Sequence, residues 1–204
     1  MGGMSRVWRE CVVAALAIFS PLSAQSALIG FEEFADGTAL TNQIAGLTFT
    51  NATVLQAGIT LNEFDFPPGG GTNVIVDEGG PMSIVFGTSV STFLAFFTYV
   101  SQVTLLAYDD ADVLVDTATS LFGANFVSAG TVGASPNELL QLDFAGGMRR
   151  IELIGDPGGL SFVLDDASFE PVSPGRVPEP SSVLLAATAL GLATGARCRS
   201  RLHV

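Results

Sequence analysis

The sequence has very few of the side chains that enzymes most often use as nucleophiles, bases or soft metal ligands. It contains no lysine, one histidine and two cysteines in 204 residues. Cys11, Cys198 and His203 all lie near the two ends, so residues 27–177 contain none of the three residue types. Within that segment this excludes a serine or cysteine nucleophile paired with histidine, a lysine Schiff base, a histidine-rich zinc site and a disulfide. Carboxylates are the reactive groups that remain.

Positive charge is equally scarce in the central segment. Residues 27–177 contain eighteen Asp and Glu residues against Arg149, Arg150 and Arg176, a net charge of −15. Nucleic acid and anionic lipid would be repelled by such a surface, so no nucleic-acid partner is expected. The chain is 48% apolar and 14% charged, which favours a folded core over disorder. Its length suits a single domain once the terminal segments are set aside.

Residues 1–26 have the pattern of a secretory signal peptide. Arg6 and Arg9 precede an apolar run over residues 11–22, and the small residues Ala24 and Ser26 follow it. This order of basic start, apolar run and small residues is the one that signal peptidase cleaves. A transmembrane anchor is the weaker alternative, because about a dozen apolar residues fall short of the roughly twenty that span a bilayer. We therefore expect cleavage after Ser26.

The other end combines three features in a fixed order. A proline-rich motif comes first, an Ala/Leu-rich run over residues 183–196 follows, and Arg197, Arg199 and Arg201 close it. A helix that ends in arginines orients with that end in the cytoplasm. Its fourteen residues would span only about 21 Å, which is short for a permanent anchor. We expect a transient association with the membrane, with residues 171–176 as a linker.

This tail, residues 177–204, resembles the PEP-CTERM sorting domain, whose members share a Pro-Glu-Pro signature, an apolar helix and a terminal arginine cluster. The resemblance implies recognition by an exosortase, a membrane transpeptidase-like cysteine protease. It also implies export to the cell envelope or extracellular matrix, with the three arginines as the cytoplasmic stop. Whether processing releases or anchors the domain stays open. The sorting motif would be Val177, Pro178, Glu179 and Pro180.

Residues 27–170 have the pattern of an all-β domain. Leu140, Leu142 and Phe144 alternate with polar residues, which is typical of a half-buried antiparallel strand. About ten short strands favour an antiparallel β-sandwich of jelly-roll type over a seven-stranded immunoglobulin-type domain. A signal helix and a short C-terminal hydrophobic helix would flank it. The predicted strands cover residues 28–32, 47–55, 82–86, 93–100, 103–108, 113–118, 126–131, 139–144, 150–154 and 162–169.

Acidic pairs stand near both ends of this body. Residues 31–37 and 162–170 resemble the first and last strands of jelly-roll modules in exported proteins, of carbohydrate-binding modules and of MAM-type sandwiches. In several such modules these strands are neighbours and hold a structural calcium ion, which takes six to eight oxygen ligands. A solvated acidic pair at the sandwich edge is the alternative. The resemblance implies a calcium site formed by Glu32, Glu33, Asp165 and Asp166.

The least regular stretch covers residues 62–81 and contains two prolines followed by three glycines. Long loops on a rigid sandwich are frequent sites of ligand binding, although such a loop can equally be without a binding role. The candidate ligand-binding residues are Glu63, Asp65, Asn73 and Asp77.

Three functions compete. The first is a non-catalytic protein of the cell surface or extracellular matrix, and the second is a calcium-dependent carbohydrate-binding module for extracellular polysaccharide. The third, a carboxylate-based glycoside hydrolase or lyase, would need two carboxylates roughly 5–10 Å apart, and no pair stands out. Trp8 is lost with the signal peptide, and Tyr99 and Tyr108 lie in apolar strands where core packing is the expected role. The scarcity of aromatic platforms favours the first function, and no catalytic residue is assigned.

Overall fold

The computed structural model describes residues 26–172. The predicted signal helix, sorting motif, C-terminal helix and arginine cluster lie outside these residues. Within them no helix is long and apolar enough to cross a bilayer. The prediction of an all-β, antiparallel sandwich of jelly-roll type is confirmed. The strands are β1 (Ala27–Ile29), β2 (Ala39–Leu40), β3 (Leu47–Thr50), β4 (Ala52–Gln56), β5 (Asn73–Asp77), β6 (Met82–Tyr99), β7 (Thr104–Tyr108), β8 (Leu114–Thr119), β9 (Glu138–Ile154) and β10 (Phe162–Pro171).

Two long strands, β6 and β9, belong to both layers of the sandwich. Their mutual register shifts between Val85 and Thr92, and such irregularities let a strand bend from one sheet into the next. The first half of each of these two strands therefore has different neighbouring strands from the second half. One layer has the order β3, β6, β9, β7, β8, and the other has β2, β4, β5, β10, β6, β9, with β1 beside the end of β10.

A single large core fills the space between the layers. Phe86 lies between Phe93 and Phe169, with ring centroids 6.2 and 5.4 Å away. The predicted alternation along residues 139–144 is confirmed, since Leu140 and Leu142 are buried and their polar neighbours are exposed. Burial of each such side chain contributes about 1.5–3 kcal/mol, so this alternation fixes which face of β9 points inward.

The sandwich has two distinct ends. At the first, which we call the loop end, Phe162 lies opposite Tyr99, and the connections 100–103, 120–137 and 155–161 gather there with residues 62–68. At the second, the exit end, Pro171 lies opposite Val90 and the described chain finishes at Val172. Residues 87–91, 109–113 and 144–149 lie at the exit end. Because β1 pairs with residues 167–169 of β10, both termini of the described chain are at the exit end.

The predicted strand over residues 126–131 is wrong. Val127–Ala129 forms a 3-10 turn that ends at Gly130, whose φ of 67° is left-handed. The place of a strand beside Tyr99 is taken by the side chain of Asn125, which accepts from Tyr99 N at 2.7 Å and donates to Phe97 O at 2.9 Å. The hydrogen bonds of the Asn125 side chain therefore stand where the backbone hydrogen bonds of a neighbouring strand would be.

Other boundaries also differ from the predictions. The predicted strand 47–55 is divided at Asn51, whose φ of 56° breaks the extended conformation. The predicted strands 82–86 and 93–100 are two parts of β6, and 139–144 and 150–154 are two parts of β9. The predicted loop 62–81 is wrong at residues 73–77, which form β5.

The segment over residues 57–72 covers the outer face of β5 and β10. Leu61 and Phe66 pack there against Val74, Val76 and Val163, forming a second, smaller apolar cluster. This cover explains why every residue of β5 is buried, since the strand has the core on one face and the segment on the other.

Candidate functional site

Three of the four residues predicted to bind calcium meet around residues 69–71, which we call the glycine strap. The strap lies against β10 at an irregularity in its pairing between Asp165 and Ser168. Asp165 is buried, and its Oδ2 accepts from Gly69 N at 2.7 Å and from Gly70 N at 3.0 Å. The backbone of the strap is therefore bound directly to the carboxylate of Asp165.

Glu32 holds the far end of the strap from the opposite side. Its carboxylate accepts from Thr72 N at 3.0 Å and from Asn73 N at 2.8 Å, and the Thr72 hydroxyl donates to it as well. These bonds join the loop after β1 to the start of β5.

Two carboxylates approach the backbone of the strap closely at Gly70 and Gly71. A Cβ atom at Gly70 would lie 2.7 Å from Oδ2 of Asp166. A Cβ at Gly71 would overlap the carboxylate of Glu32, and the φ of Gly71, +62°, is one that other residues adopt at a cost. A side chain at residue 71 would therefore displace Glu32 from its hydrogen bonds, whereas one at residue 69 would make only ordinary contacts, the nearest at 3.5 Å.

The pKa values of these two carboxylates, Asp165 and Glu32, are shifted in opposite directions. Burial raises the pKa of Asp165, and the hydrogen bonds from Gly70 and Gly69 only partly offset burial and the neighbouring charge of Asp166. Burial also raises the pKa of Glu32, but the hydrogen bonds from Asn73 and Thr72 outweigh it and the net pKa is lowered. The ionised form is favoured at Glu32 and disfavoured at Asp165.

The hydrogen bonds to Asp165 and Glu32 come from backbone N–H groups of the strap and of residues 72 and 73. Among residues 26–172 no three acidic, histidine or cysteine side chains are grouped so as to hold a metal. Glu33 accepts no hydrogen bond from the strap and, with Glu32, lines a groove of about 400 Å³ beside β1. Calcium binding by this set stays a prediction.

The four predicted ligand-binding residues separate into two kinds. Asn73 and Asp77 are the first and last residues of β5 and are buried, so their placement in a surface loop is wrong. Asn73 donates to Phe31 O and Phe34 O, at 2.9 and 2.8 Å. Glu63 and Asp65 remain at the surface, at the loop end. Only these two are placed to meet a ligand from solution.

Asp65 fastens its turn to the neighbouring loop. Its Oδ1 accepts from the backbone N of Ser128 at 3.1 Å and from the Ser128 hydroxyl at 2.5 Å. The hydrogen bond from the Ser128 side chain is the main reason why the pKa of Asp65 is lowered.

Core packing is confirmed for Tyr99 and is wrong for Tyr108, which is only partly buried and whose hydroxyl donates to Glu152 at 3.2 Å. Tyr99 is fully buried, its hydroxyl donates to Glu138, and burial followed by the Glu138 contact raises its pKa. Tyr108 lies in β7 with the guanidinium of Arg150 3.9 Å from its ring centroid. Neither ring offers a free platform for a sugar.

These features define an all-β sandwich domain whose buried carboxylates bind its own backbone. No protein-family model matches the sequence and no curated protein matches it. Three solved structures are similar in fold. The cleaved adhesin domain K2 of Lys-gingipain is 16% identical, with a TM-score of 0.45 over 71% of this chain and 97% of that one.

The second similar structure is a DUF4465 family protein from Bacteroides caccae, 12% identical, with a TM-score of 0.44 over 72% of this chain and 99% of that one. The third is a family 29 carbohydrate-binding module in complex with mannohexaose, 14% identical, with a TM-score of 0.40 over 73% and 93%. All three TM-scores are below 0.5, so function has to be argued from the residues of this chain.

Proposed function

We propose that this chain is an exported, non-catalytic domain of the cell surface or extracellular matrix, sorted by an exosortase. The observation that carries the proposal is the order of Pro178, Glu179 and Pro180, the apolar run 183–196 and the closing arginines. Signal peptidase and the exosortase are its partners during processing, and the tail associates with the inner membrane only until it is cut.

The chemistry of the body supports a non-catalytic role. Asp77 and Asp165 are its buried carboxylates. Both accept hydrogen bonds from backbone N–H groups of the domain itself. A glycosidase needs one carboxyl group kept protonated beside an open cleft and a second one across the bond that it cleaves. Carboxylates committed to the protein's own backbone do not offer that pair.

Mass spectrometry of the mature protein from a cell that contains an exosortase tests the proposal. We expect a mature N-terminus at Ala27 and loss of the residues beyond the sorting motif. Pro180→Ala should leave the tail uncut, whereas Pro174→Ala, a proline substitution outside the motif, should be processed normally. A cytosolic product that keeps Arg201 would overturn the proposal.

A further inference from the structure

Exposed apolar side chains are concentrated at the loop end. Of the eleven large ones among the described residues, six lie in its loops and three lie at the exit end, Leu28, Val113 and Leu114, while Ile59 lies in the segment 57–72 and Leu139 in β9. Scattered exposed apolar residues are ordinary, but a concentration of them on one surface marks an interaction site. The six are Phe64, Val100, Leu121, Val127, Val132 and Leu160.

Phe64 is the most distinctive of the six because its ring is 82% exposed on a fixed turn. Asp65 N and Phe66 N both donate to Asn62 O, at 3.1 and 2.9 Å, which closes the turn. The ring of Phe66 stacks on that of Phe126 with centroids 5.8 Å apart. Because the backbone of this turn is already fixed, ordering it on a ligand costs little further conformational entropy.

The same turn is fixed to the neighbouring loop by its backbone. Val127 N donates to Asp65 O at 3.0 Å, so Phe64 and the exposed Val127 belong to adjoining parts of one surface. Val132, which is 95% exposed, follows in the same loop. The turn that carries Phe64 is thus bonded to the loop that carries the exposed Val127 and Val132.

Charge restricts what this surface can bind. The arginines of residues 26–172 are Arg149 and Arg150, and both lie at the exit end, where Arg150 pairs with Asp112 and Glu152. The charged side chains of the loop end are carboxylates, among them Glu63 and Glu138. Anionic polymers and anionic lipid are repelled, and a second copy of this acidic domain is repelled too. An uncharged ligand with both apolar and hydroxyl groups fits.

The direction in which the chain leaves determines where the loop end faces, provided that the proposed sorting is correct. Residues 173–177 can reach at most about 18 Å from Val172 to the sorting motif. The ten residues of β10 extend roughly 33 Å from the exit end to the loop end. Until it is cut, the tail therefore keeps the exit end near the bilayer and leaves the loop end directed toward the extracellular space.

We propose that the loop end binds an uncharged extracellular polysaccharide. The ring of Phe64 packs against the C–H face of a sugar ring, and Val127 and Val132 extend the apolar contact. The carboxylate of Glu63 accepts a hydrogen bond from a sugar hydroxyl. This proposal rests on the proposed function for its compartment, and on the apolar, cation-free loop end for its ligand.

Retention of the detergent-solubilised full chain in gels containing cellulose derivative, mannan, amylose or alginate tests the proposal. We expect retardation by at least one of the three uncharged polysaccharides and none by alginate. Phe64→Ala should weaken that retardation at least tenfold. Leu28→Ala is the matched control, since Leu28 is 71% exposed at the exit end, and it should bind as the unchanged chain does. Both variants should keep the original melting temperature.

The proposal is overturned if no uncharged polysaccharide retards the chain, or if the two variants bind equally. Retardation by alginate, or a dimer in light scattering that Phe64→Ala dissociates, would assign this surface to another partner and overturn it as well. Mass spectrometry of the processed C-terminus separates the two proposals. Correct sorting without polysaccharide binding contradicts only the proposed binding at the loop end. A cytosolic, uncut chain contradicts the proposed function.

Discussion

Replacement of Asp77 by alanine should destabilise the domain through unpaired backbone groups. Oδ1 of Asp77 accepts from Ser161 N at 2.7 Å and from Phe162 N at 3.0 Å, and Oδ2 accepts from Ser161 Oγ at 2.9 Å. The carboxylate is completely buried, so water does not replace it when it is removed. The loop 155–161 would keep the backbone bond from Leu160 N to the carbonyl of residue 77 and lose its side-chain bonds to β5.

The size of the effect follows from two backbone donors. Each buried N–H left without an acceptor costs about 1–3 kcal/mol, while removal of a buried charge returns part of that sum. We therefore expect a loss of about 2–4 kcal/mol in the free energy of unfolding. For a domain of this size that corresponds to a fall of roughly 5–15 °C in the melting temperature.

Asp77→Asn is the informative comparison. Its remaining oxygen can occupy the position of Oδ1 and keep both backbone bonds, and its amide can donate to Ser161 Oγ. This variant should lose about 1 kcal/mol or less, measured by thermal and urea unfolding followed by circular dichroism. Glu63→Ala, at the surface, should leave stability unchanged. A melting temperature for Asp77→Ala within about 2 °C of the unchanged chain, or equal losses in both Asp77 variants, would refute the reasoning.

Three further predictions concern the strap. Gly71→Ala should cost more stability than Gly58→Ala in urea unfolding, because both positions have a positive φ but only the Cβ at residue 71 meets Glu32; equal costs would contradict the overlap. Burial raises the pKa of Asp165 above its usual 3.8, so the stability contributed by its protonated form is present below that pH and is lost as the pH rises through the raised pKa. The free energy of unfolding should therefore decline with pH relative to Asp165→Asn, and parallel pH profiles would count against it. The calcium prediction requires that a chelator lower the melting temperature of the unchanged chain and leave Asp166→Asn unaffected, and an unchanged melting curve would end it.

Strands with a strict alternation could be predicted because that signal is local. In β9, Leu140 and Leu142 face the core and Gln141 faces solvent, and these three residues alone are enough to orient the strand. β5 could not be predicted in the same way. Its ends are the polar residues Asn73 and Asp77, so the sequence does not show the apolar run of a strand buried on both faces. One of those faces is covered only by the segment 57–72.

The candidate site was predictable in its residues and not in its chemistry. Acidic residues near both ends of the body indicated that Glu32, Asp165 and Asp166 would meet, and they do. The partner that separates them is a glycine backbone from the middle of the chain, and three consecutive glycines are the only sequence signal for it. Sequence alone does not distinguish a carboxylate that binds a cation from one that binds an N–H group.

The glycine strap and the Phe64 turn at the loop end belong to one segment, residues 57–72. Glu32 and Asp165 fix its C-terminal part, at residues 69–72, while the Asp65–Ser128 bonds fix its turn at the loop end. Asn137 adds a bond between them, from its Nδ2 to Pro67 O at 3.0 Å. Because Phe64 is carried by this segment, its orientation depends on both attachments. The acidic residues that resemble a calcium site thus contribute to ligand binding indirectly, by holding in place the loop that presents the aromatic ring.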